Sequence, residues 1–121
     1  MTLKINHGEI WLTNLNPSHG TEAGKSRPVL IFQNQALLDI NHPSTLIIPL
    51  TTQLAEDAAP LRIRVNAAGK LKKDSDLLID QIRAIDNKRL ISGPLLCCDN
   101  LFMEKVYHAV NEVIGMTDLD Y

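Results

Sequence analysis

The sequence predicts a mainly β fold of the α+β class, in which five to seven short strands curve into a small barrel that carries a C-terminal helix. Two observations carry this prediction. Short apolar runs separated by turn residues follow one another from residue 8 to residue 97, and helical spacing of apolar residues dominates only beyond Asp99. At 121 residues and 45% apolar composition, the chain suits a single domain, 1–121, with one core.

The first half of the chain predicts three strands, at 8–14, 28–32 and 45–50. The first ends at the turn residues 16–18, and Pro28 begins the second, where a missing N–H group matters least. The second is apolar throughout, as is typical of a central strand buried on both faces. Residues 34–40 predict one or two helical turns, and Pro49 indicates an edge position or a bulge in the third strand.

The second half predicts strands at 61–65, 76–85 and 90–97, the last of them broken at Gly93–Pro94. In the first of these, arginine alternates with apolar residues, which indicates a half-exposed strand. Asp99 is a favourable N-cap, and Gly115 can end the helix that follows. The predicted apolar face of this helix comprises Phe102, Val106, Ala109, Val110, Val113 and Ile114. Strands in this order, followed by one helix, are typical of an SH3-like barrel with a helix packed on it.

Composition and charge narrow the function classes. The net charge is −2 with a pI near 6, so a nucleic-acid-binding role requires a local cationic patch instead of an overall positive field. No apolar run approaches the ~20 residues that cross a membrane, and residues 1–7 lack the apolar core of a signal peptide. We therefore expect a cytoplasmic protein with no membrane partner. The adjacent Cys97 and Cys98 are interpreted as small apolar residues near a strand end.

We expect no metal and no other cofactor. The four histidines are far apart, without a His-x-x-x-His pair or a cysteine at zinc-binding spacing. Asp76 and Asp80 are four residues apart on one predicted strand and therefore on one face, where Asp80 is more simply a structural acceptor for an arginine than a magnesium ligand. The stretch from Gly20 to Ser26 lacks the spacing of a phosphate-binding loop, and a strand follows it instead of a helix.

The loop from residue 14 to residue 27 is the strongest candidate for a functional segment, because its length far exceeds what a hairpin reversal needs. Metal-free RNA cleavage requires a base for the 2′-OH, an acid for the leaving 5′-oxygen, and a cation beside the charged phosphorus centre. Arg27 can supply the cation, Thr51 a hydroxyl, and Glu22 or His19 the proton transfer. The alternative is structural: Arg27 pairs with Glu22, and Thr51 with its neighbouring threonine caps the end of a strand.

Four blocks of sequence resemble the MazF/PemK family of bacterial toxins. They run in the family's order and spacing: Gly8-Glu-Ile-Trp-Leu with Leu15-Asn-Pro17, then Gly20-Thr-Glu-x-Gly with Arg27-Pro28-Val-Leu, then Leu50-Thr-Thr-Gln53, and finally Asp80-Gln-Ile-Arg83-Ala-Ile85. Together they extend from residue 8 to about residue 90, and the C-terminal helix also fits. Any one block is a weak signal, whereas four in order are a strong one.

This resemblance implies the toxin of a type II toxin–antitoxin system: a dimeric, metal-independent endoribonuclease that cuts single-stranded mRNA at a specific sequence. The family's products are a 2′,3′-cyclic phosphate and a 5′-OH, and a cognate antitoxin with a disordered tail blocks the RNA groove. Carried onto this chain, the resemblance implies Arg27, Thr51 and Glu22 as catalytic residues. The residues that we predict to bind the substrate are His19, Thr21, Lys25, Ser26, Thr52, Gln53, Asp80 and Gln81.

Two departures separate the chain from PemK-like members, which carry histidine where this chain has Thr21 and arginine where it has Leu78. The MazF arrangement of Arg27 with Thr51 is therefore favoured over the PemK arrangement, in which the aspartate at position 80 is catalytic. Two other functions stay open: a CcdB-like toxin that binds a protein target such as gyrase, and an inactive binding module. CcdB-type proteins use a C-terminal tryptophan, whereas the single tryptophan here is Trp11.

Overall fold

The computed structural model describes residues 3–17, 19–22 and 25–116. Within these ranges the chain forms seven strands: β1 (Glu9–Asn14), β2 (Ser26–Ile31), β3 (Ser44–Thr51), β4 (Arg62–Val65), β5 (Ser75–Leu78), β6 (Arg83–Asp86) and β7 (Leu90–Cys97). The α-helices of this part of the chain are α1 (Gln35–Asp39) and α2 (Asn100–Val113), and 3₁₀ turns span Ile79–Gln81 and Asn87–Arg89. The predicted mainly β fold with a C-terminal helix is confirmed. None of the helices described is long and apolar enough to cross a membrane.

The strands form one antiparallel sheet in the order β4-β5-β3-β2-β1-β7, with β6 also paired to β3. Among the residues described, no ladder joins the two outer strands, so the sheet stays open instead of closing into a full barrel. The N–H of Lys70, in the turn after β4, donates a hydrogen bond of 2.8 Å to the carbonyl of Leu95 in β7. The sheet is therefore curved far enough to bring its two ends into contact.

Pro49 lies in an internal strand, so the predicted edge position or bulge is wrong. On one side β3 pairs with β2, and the carbonyl of Leu46 accepts hydrogen bonds from that side. Backbone direction alternates along a strand, so the nitrogen of Pro49 faces the opposite side. There β6 pairs with β3 only as far as Ile47, and β5 begins to pair at Leu50. The missing N–H group thus falls in the gap between two partner strands and interrupts neither ladder.

The strand predicted at 76–85 is in fact two strands separated by a 3₁₀ turn. Continuing the register of β5 along β3 would set Ile47 opposite residue 80, but Ile47 pairs with Arg83, three residues further along. The turn Ile79–Gln81 takes up those three residues. Asp76 and Asp80 therefore do not share a face: Asp76 is buried in β5, whereas Asp80 is exposed in the turn.

Apolar clusters cover both faces of the sheet. On one face Leu30 and Ile48 pack with α2, and on the other Val29 and Ile47 form a separate cluster. This confirms the prediction that the second strand is buried on both faces. The helix buries Met103, Val106, Ala109 and Val110. The predicted apolar face of the helix omits Met103, which is buried, and includes Ile114, which is 61% exposed.

The ends of α2 follow the predicted signals. The Asp99 side chain accepts a hydrogen bond of 2.8 Å from the N–H of Phe102, as expected of an N-cap. Gly115 follows the helix with a φ of +86°, a left-handed conformation that favours glycine.

Trp11 is a core residue at the point where β7 bends. The register between β1 and β7 shifts around Leu12, and Gly93 and Pro94 lie within that irregular stretch of β7. A Cβ atom at Gly93 would overlap the Trp11 ring, so only glycine allows this close approach. The predicted break at Gly93–Pro94 is therefore an irregularity inside a continuous strand.

Candidate active site

A cleft of about 490 Å³ lies between the loop that enters β2 and the segment that leaves β3. It is lined by Thr21, Glu22, Lys25, Ser26, Arg27, Pro28, Leu50, Thr51, Thr52, Gln53, Arg62, Ser75, Leu78 and Gln81. Three of these residues are cationic, Lys25, Arg27 and Arg62, and one, Glu22, is a carboxylate. Although the chain as a whole is slightly acidic, this cleft therefore favours an anionic ligand.

Arg27 is held by the sheet. It pairs with Thr13 of β1, is half-buried, and donates a hydrogen bond of 3.2 Å from Nη1 to the carbonyl of Leu50 in β3. Burial lowers the pKa of the Arg27 guanidinium, which nonetheless stays charged because its ordinary pKa is so high. Val29 pairs with Pro49, and continuing that register by two residues would set Arg27 opposite Thr51. The pairing of β2 with β3 thus places Arg27 next to Thr51.

The end of β3 turns sharply at Thr51. The Thr51 hydroxyl oxygen accepts a hydrogen bond of 3.1 Å from the N–H of Gln53, and the Gln53 carbonyl accepts one of 2.7 Å from Nη1 of Arg62. Thr51 therefore does cap the strand end, as the structural alternative expected, and it also lines the cleft. The two readings are compatible, because a hydroxyl oxygen that accepts one hydrogen bond still has its proton to donate.

The loop before β2 is fixed by backbone and side-chain contacts at several points. Lys25 has a φ of +67°, and its N–H donates a hydrogen bond of 2.6 Å to the Asn16 side chain. On the far side of the cleft, Nε2 of Gln81 donates one of 3.1 Å to the carbonyl of Thr21. The exposed Glu22 is the residue next to Thr21. These contacts keep Glu22 and Lys25 at the mouth of the cleft.

The predicted alternative in which Arg27 pairs with Glu22 is not found: the salt bridges among the described residues all involve Arg62 or Arg64. Both of those arginines contact Asp76, which is 1% exposed. Burial opposes ionisation of Asp76, but hydrogen bonds from Arg64, from the backbone of Ala55 and from Arg62 outweigh it and lower its pKa. The same hydrogen bond to Asp76, together with one to Glu56, raises the pKa of Arg64.

Most of the predicted site residues line the cleft, but two do not. His19 and Asp80 are exposed, and neither is among the described residues that line it. Asp80 lies in the 3₁₀ turn beside Gln81, and the role of arginine acceptor that we predicted for it belongs to Asp76 instead. Sequence reasoning missed Arg62 as a cleft residue. The signal was present, because the alternation in β4 puts Arg62 and Arg64 on one face opposite a strand that contains an aspartate.

Fold and cleft together define a small antiparallel-sheet protein whose central strands end in a cationic cleft suited to an anionic ligand. The family model described as PemK-like, MazF-like toxin of type II toxin-antitoxin system matches residues 6–114. The chain belongs to that family.

Curated relatives match the chain over nearly its whole length. Endoribonuclease EndoA of Bacillus subtilis (strain 168) is 30% identical over 118 residues, covering 94% of this chain and 97% of the relative. Endoribonuclease MazF of Staphylococcus epidermidis is also 30% identical over 118 residues, with 97% of each chain covered.

Solved structures share the fold. MazF from Deinococcus radiodurans superposes with a TM-score of 0.78 at 19% identity, covering 94% of this chain and 99% of that one. An endoribonuclease in complex with its cognate antitoxin, from a mycobacterial species, gives 0.70 at 18% identity, with 92% and 95% covered. At these identities the likeness shows that the fold is shared.

Proposed function

We propose that this chain is an endoribonuclease toxin that cuts single-stranded RNA in the cleft lined by Arg27 and Thr51. The observation that carries the proposal is the hydrogen bond from Arg27 to the Leu50 carbonyl, which holds an arginine beside the hydroxyl of the next residue in a cationic cleft. The curated relatives, which match more than nine-tenths of the chain, are named endoribonucleases. Family membership and the chemistry of the cleft therefore support the same activity.

The proposed reaction is an internal phosphoryl transfer. The 2′-oxygen of one nucleotide attacks the adjacent phosphorus, the bond from phosphorus to the 5′-oxygen breaks, and the strand ends as a 2′,3′-cyclic phosphate and a 5′-OH. The 2′-OH loses its proton and the 5′-oxygen gains one, so no external reactant is consumed. Between these two states the phosphorus centre carries additional negative charge, which the protein must offset.

Arg27 suits that task, because its planar guanidinium can donate two parallel hydrogen bonds to phosphate oxygens. Its partial burial reduces solvent screening, so its charge acts more strongly on the phosphate than an exposed charge would. The Thr51 hydroxyl can orient the phosphate or relay a proton, and the Glu22 carboxylate can accept or return one. Lys25 and Ser26 provide a cation and a hydroxyl for the neighbouring phosphate.

Side chains further along the cleft suit recognition of the bases. Thr52, Gln53 and Gln81 line it and carry hydrogen-bond donors and acceptors, which are the groups that read the exposed edges of unpaired bases. His19 and Asp80 lie outside the described lining of the cleft and are not part of the proposed substrate-binding set.

The decisive experiment incubates the purified protein with a long RNA transcript in EDTA and sequences the new ends. We expect cuts at one short motif, leaving 2′,3′-cyclic phosphate and 5′-OH ends. Arg27→Ala should lower the cleavage rate about 100-fold or more while the protein stays folded, with a melting temperature lowered by no more than a few degrees through loss of the hydrogen bond to Leu50. Arg83→Ala is the matched control, because Arg83 is a sheet arginine outside the cleft lining. Intact RNA across a diverse set of transcripts, with the protein folded, would refute the proposal.

A second substrate tests the chemical step itself. An RNA oligonucleotide that carries a 2′-O-methyl group only at the mapped cut site lacks the nucleophile but keeps the phosphates and bases. It should bind the protein and stay intact. Cleavage of this oligonucleotide would show that another nucleophile attacks the phosphorus, and the assigned roles of Arg27 and Thr51 would then have to be revised.

We further propose that a cognate antitoxin inhibits the protein and that the toxin is a cytoplasmic homodimer. The mycobacterial relative was solved with its cognate antitoxin, and the proposed substrate, mRNA, is cytoplasmic. Exposed apolar residues of the C-terminal helix, including Leu101 at 73% and Tyr107 at 60%, leave surface for a partner. Sedimentation at micromolar concentration tests the dimer, and a purely monomeric species would contradict it.

A further inference from the structure

Asp76 is the most buried charged residue of the described chain and lies behind the cleft. Its side chain is 1% exposed, and its oxygens accept hydrogen bonds of 2.6 Å from Nε of Arg64, 2.9 Å from the N–H of Ala55 and 3.3 Å from Nη1 of Arg62. A buried carboxylate is tolerated only when it is paired and hydrogen-bonded in this way. The cluster therefore depends on all three partners.

Two of these partners connect Asp76 to the cleft. Nη1 of Arg62 also donates a hydrogen bond of 2.7 Å to the carbonyl of Gln53, and Nη2 of Arg64 donates one of 3.4 Å to the carbonyl of Ala55. The backbone that leaves Thr51 is thus held at two carbonyls and one N–H by a single carboxylate and its two arginines. Movement of Asp76 would be transmitted directly to the wall of the cleft.

Arg62 itself lines the cleft and keeps donors for a ligand. Both hydrogens of Nη1 are used, one by Gln53 and one by Asp76, whereas Nε and Nη2 make no hydrogen bond to any described residue. Its side chain is 27% exposed. Arg64 has the shorter contact to Asp76 and a second carboxylate, Glu56, at 3.0 Å. The charge of Arg62 is therefore the less neutralised of the two.

We infer that Arg62 contacts a phosphate of the bound strand and that Asp76 is the positioning residue that holds Arg62 and the Gln53–Ala55 backbone in place for it. The inference rests on the proposed function for the class of ligand, a single-stranded nucleic acid. A carboxylate and a carbonyl hold one edge of the Arg62 guanidinium in place. Its other edge can therefore bind a phosphate with little further loss of side-chain rotational freedom. Asp76 acts on the ligand only through Arg62 and this backbone.

The test measures binding of a fluorescein-labelled, single-stranded DNA oligonucleotide of mixed sequence, which lacks the 2′-OH and cannot be cut. Fluorescence anisotropy at about 50 to about 200 mM salt gives the affinity and its salt dependence. Arg62→Gln should weaken binding five- to tenfold and reduce the slope of log K against log salt by about 0.7, the loss of one phosphate contact on a single strand. Arg83→Gln, a charge-matched change outside the cleft, should alter neither quantity.

Asp76→Asn tests whether the aspartate acts through the arginine. It should reproduce the weaker binding and smaller slope of Arg62→Gln, and the double variant should bind no worse than Arg62→Gln alone. Arg62→Lys should recover most of the slope, because the lysine restores the charge. An unchanged slope in Arg62→Gln, losses that multiply in the double variant, or failure of the wild type to bind the oligonucleotide would each overturn the inference.

Cleavage of RNA by the same variants is measured in parallel, so that the two proposals can fail separately. If the wild type binds the oligonucleotide with the expected dependence on Arg62 and Asp76 but cuts no RNA, the endoribonuclease proposal fails and this inference stands. If the wild type cuts RNA and the variants raise KM with little change in kcat, both stand. Should Asp76→Asn not fold, the salt slopes of Arg62→Gln and Arg62→Lys still decide the phosphate contact.

Discussion

Arg27 in β2 and Leu50 in β3 are joined by a hydrogen bond of 3.2 Å from Nη1 of the arginine to the backbone carbonyl of the leucine. A carbonyl is present whatever side chain stands at position 50, so the contact depends on the arginine and on strand pairing alone. Because Leu50 directly precedes Thr51, the bond fixes the distance between the cation and the hydroxyl of the cleft.

Arg27→Lys should therefore abolish most of the activity although it conserves the charge. A lysine ammonium is a compact cation without the planar fork, so it cannot hold the Leu50 carbonyl and two phosphate oxygens together. We expect kcat/KM for RNA cleavage to fall about 100-fold while the melting temperature stays within a few degrees. Full activity in Arg27→Lys would mean that only the charge at position 27 matters.

Two variants of Thr51 distinguish a structural role of its hydroxyl from a chemical one. Thr51→Val keeps the shape but removes the acceptor for the N–H of Gln53, which should cost about 1 kcal/mol of unfolding free energy. If the hydroxyl also orients the phosphate, kcat should fall by much more than this loss of stability explains. Thr51→Ser, which retains the oxygen, should restore both quantities. Equal kcat in the valine and serine variants would limit Thr51 to its role in the turn.

The sequence was sufficient to predict the strands around the cleft, because the apolar runs at 29–32 and 45–50 are short, continuous and bounded by turn residues. The position of Arg27 beside Thr51 did not follow from these patterns alone, because the residues also allowed a structural interpretation; the resemblance to the MazF/PemK family favoured the pairing, and the register of β2 with β3 brings it about. The prediction of these strands depends on local patterns that no tertiary contact overrides.

The 3₁₀ turn Ile79–Gln81 could not be predicted in this way. The pattern of residues 76–85 predicts one strand, and the three-residue change of register arises only because β3 pairs with both β5 and β6. That error placed Asp80 beside an arginine and hid the cluster around Asp76. The network of Asp76 with Arg62 and Arg64 depends on the register of β4 with β5, which a single sequence does not specify.

The Asp76 cluster should make stability depend on pH in the acid range. The pKa of Asp76 is lowered in the folded state, so the ionised carboxylate contributes stability above its ordinary pKa of about 3.9, and this contribution is lost as pH falls through the folded-state pKa. Urea unfolding should show Asp76→Asn less stable than wild type at neutral pH, with a difference that shrinks below about pH 4. Asp39→Asn, an exposed control in α1, should show no comparable change. A difference between Asp76→Asn and wild type that is independent of pH would contradict the ionic role.

Cys97 and Cys98 should differ sharply in reactivity although they are neighbours. Cys97 is exposed at the end of β7, whereas burial, followed by the charges of Cys97 and Asp99, raises the pKa of Cys98 to about 11. Only the thiolate reacts with alkylating agents, so iodoacetamide at about pH 8 should label Cys97 in the folded protein and leave Cys98 largely unmodified.

Because unfolding returns the Cys98 pKa to its ordinary value of about 8.5, the stability that the neutral thiol contributes is lost as pH rises from that value towards 11. Mass spectrometry of the labelled peptides at stepwise pH measures how far each cysteine is alkylated, and the Cys97→Ser variant isolates the signal of Cys98. Equal labelling of the two cysteines at pH 8 would show that Cys98 is far more accessible than its packing against the apolar cluster of Leu30, Ile48 and α2 implies.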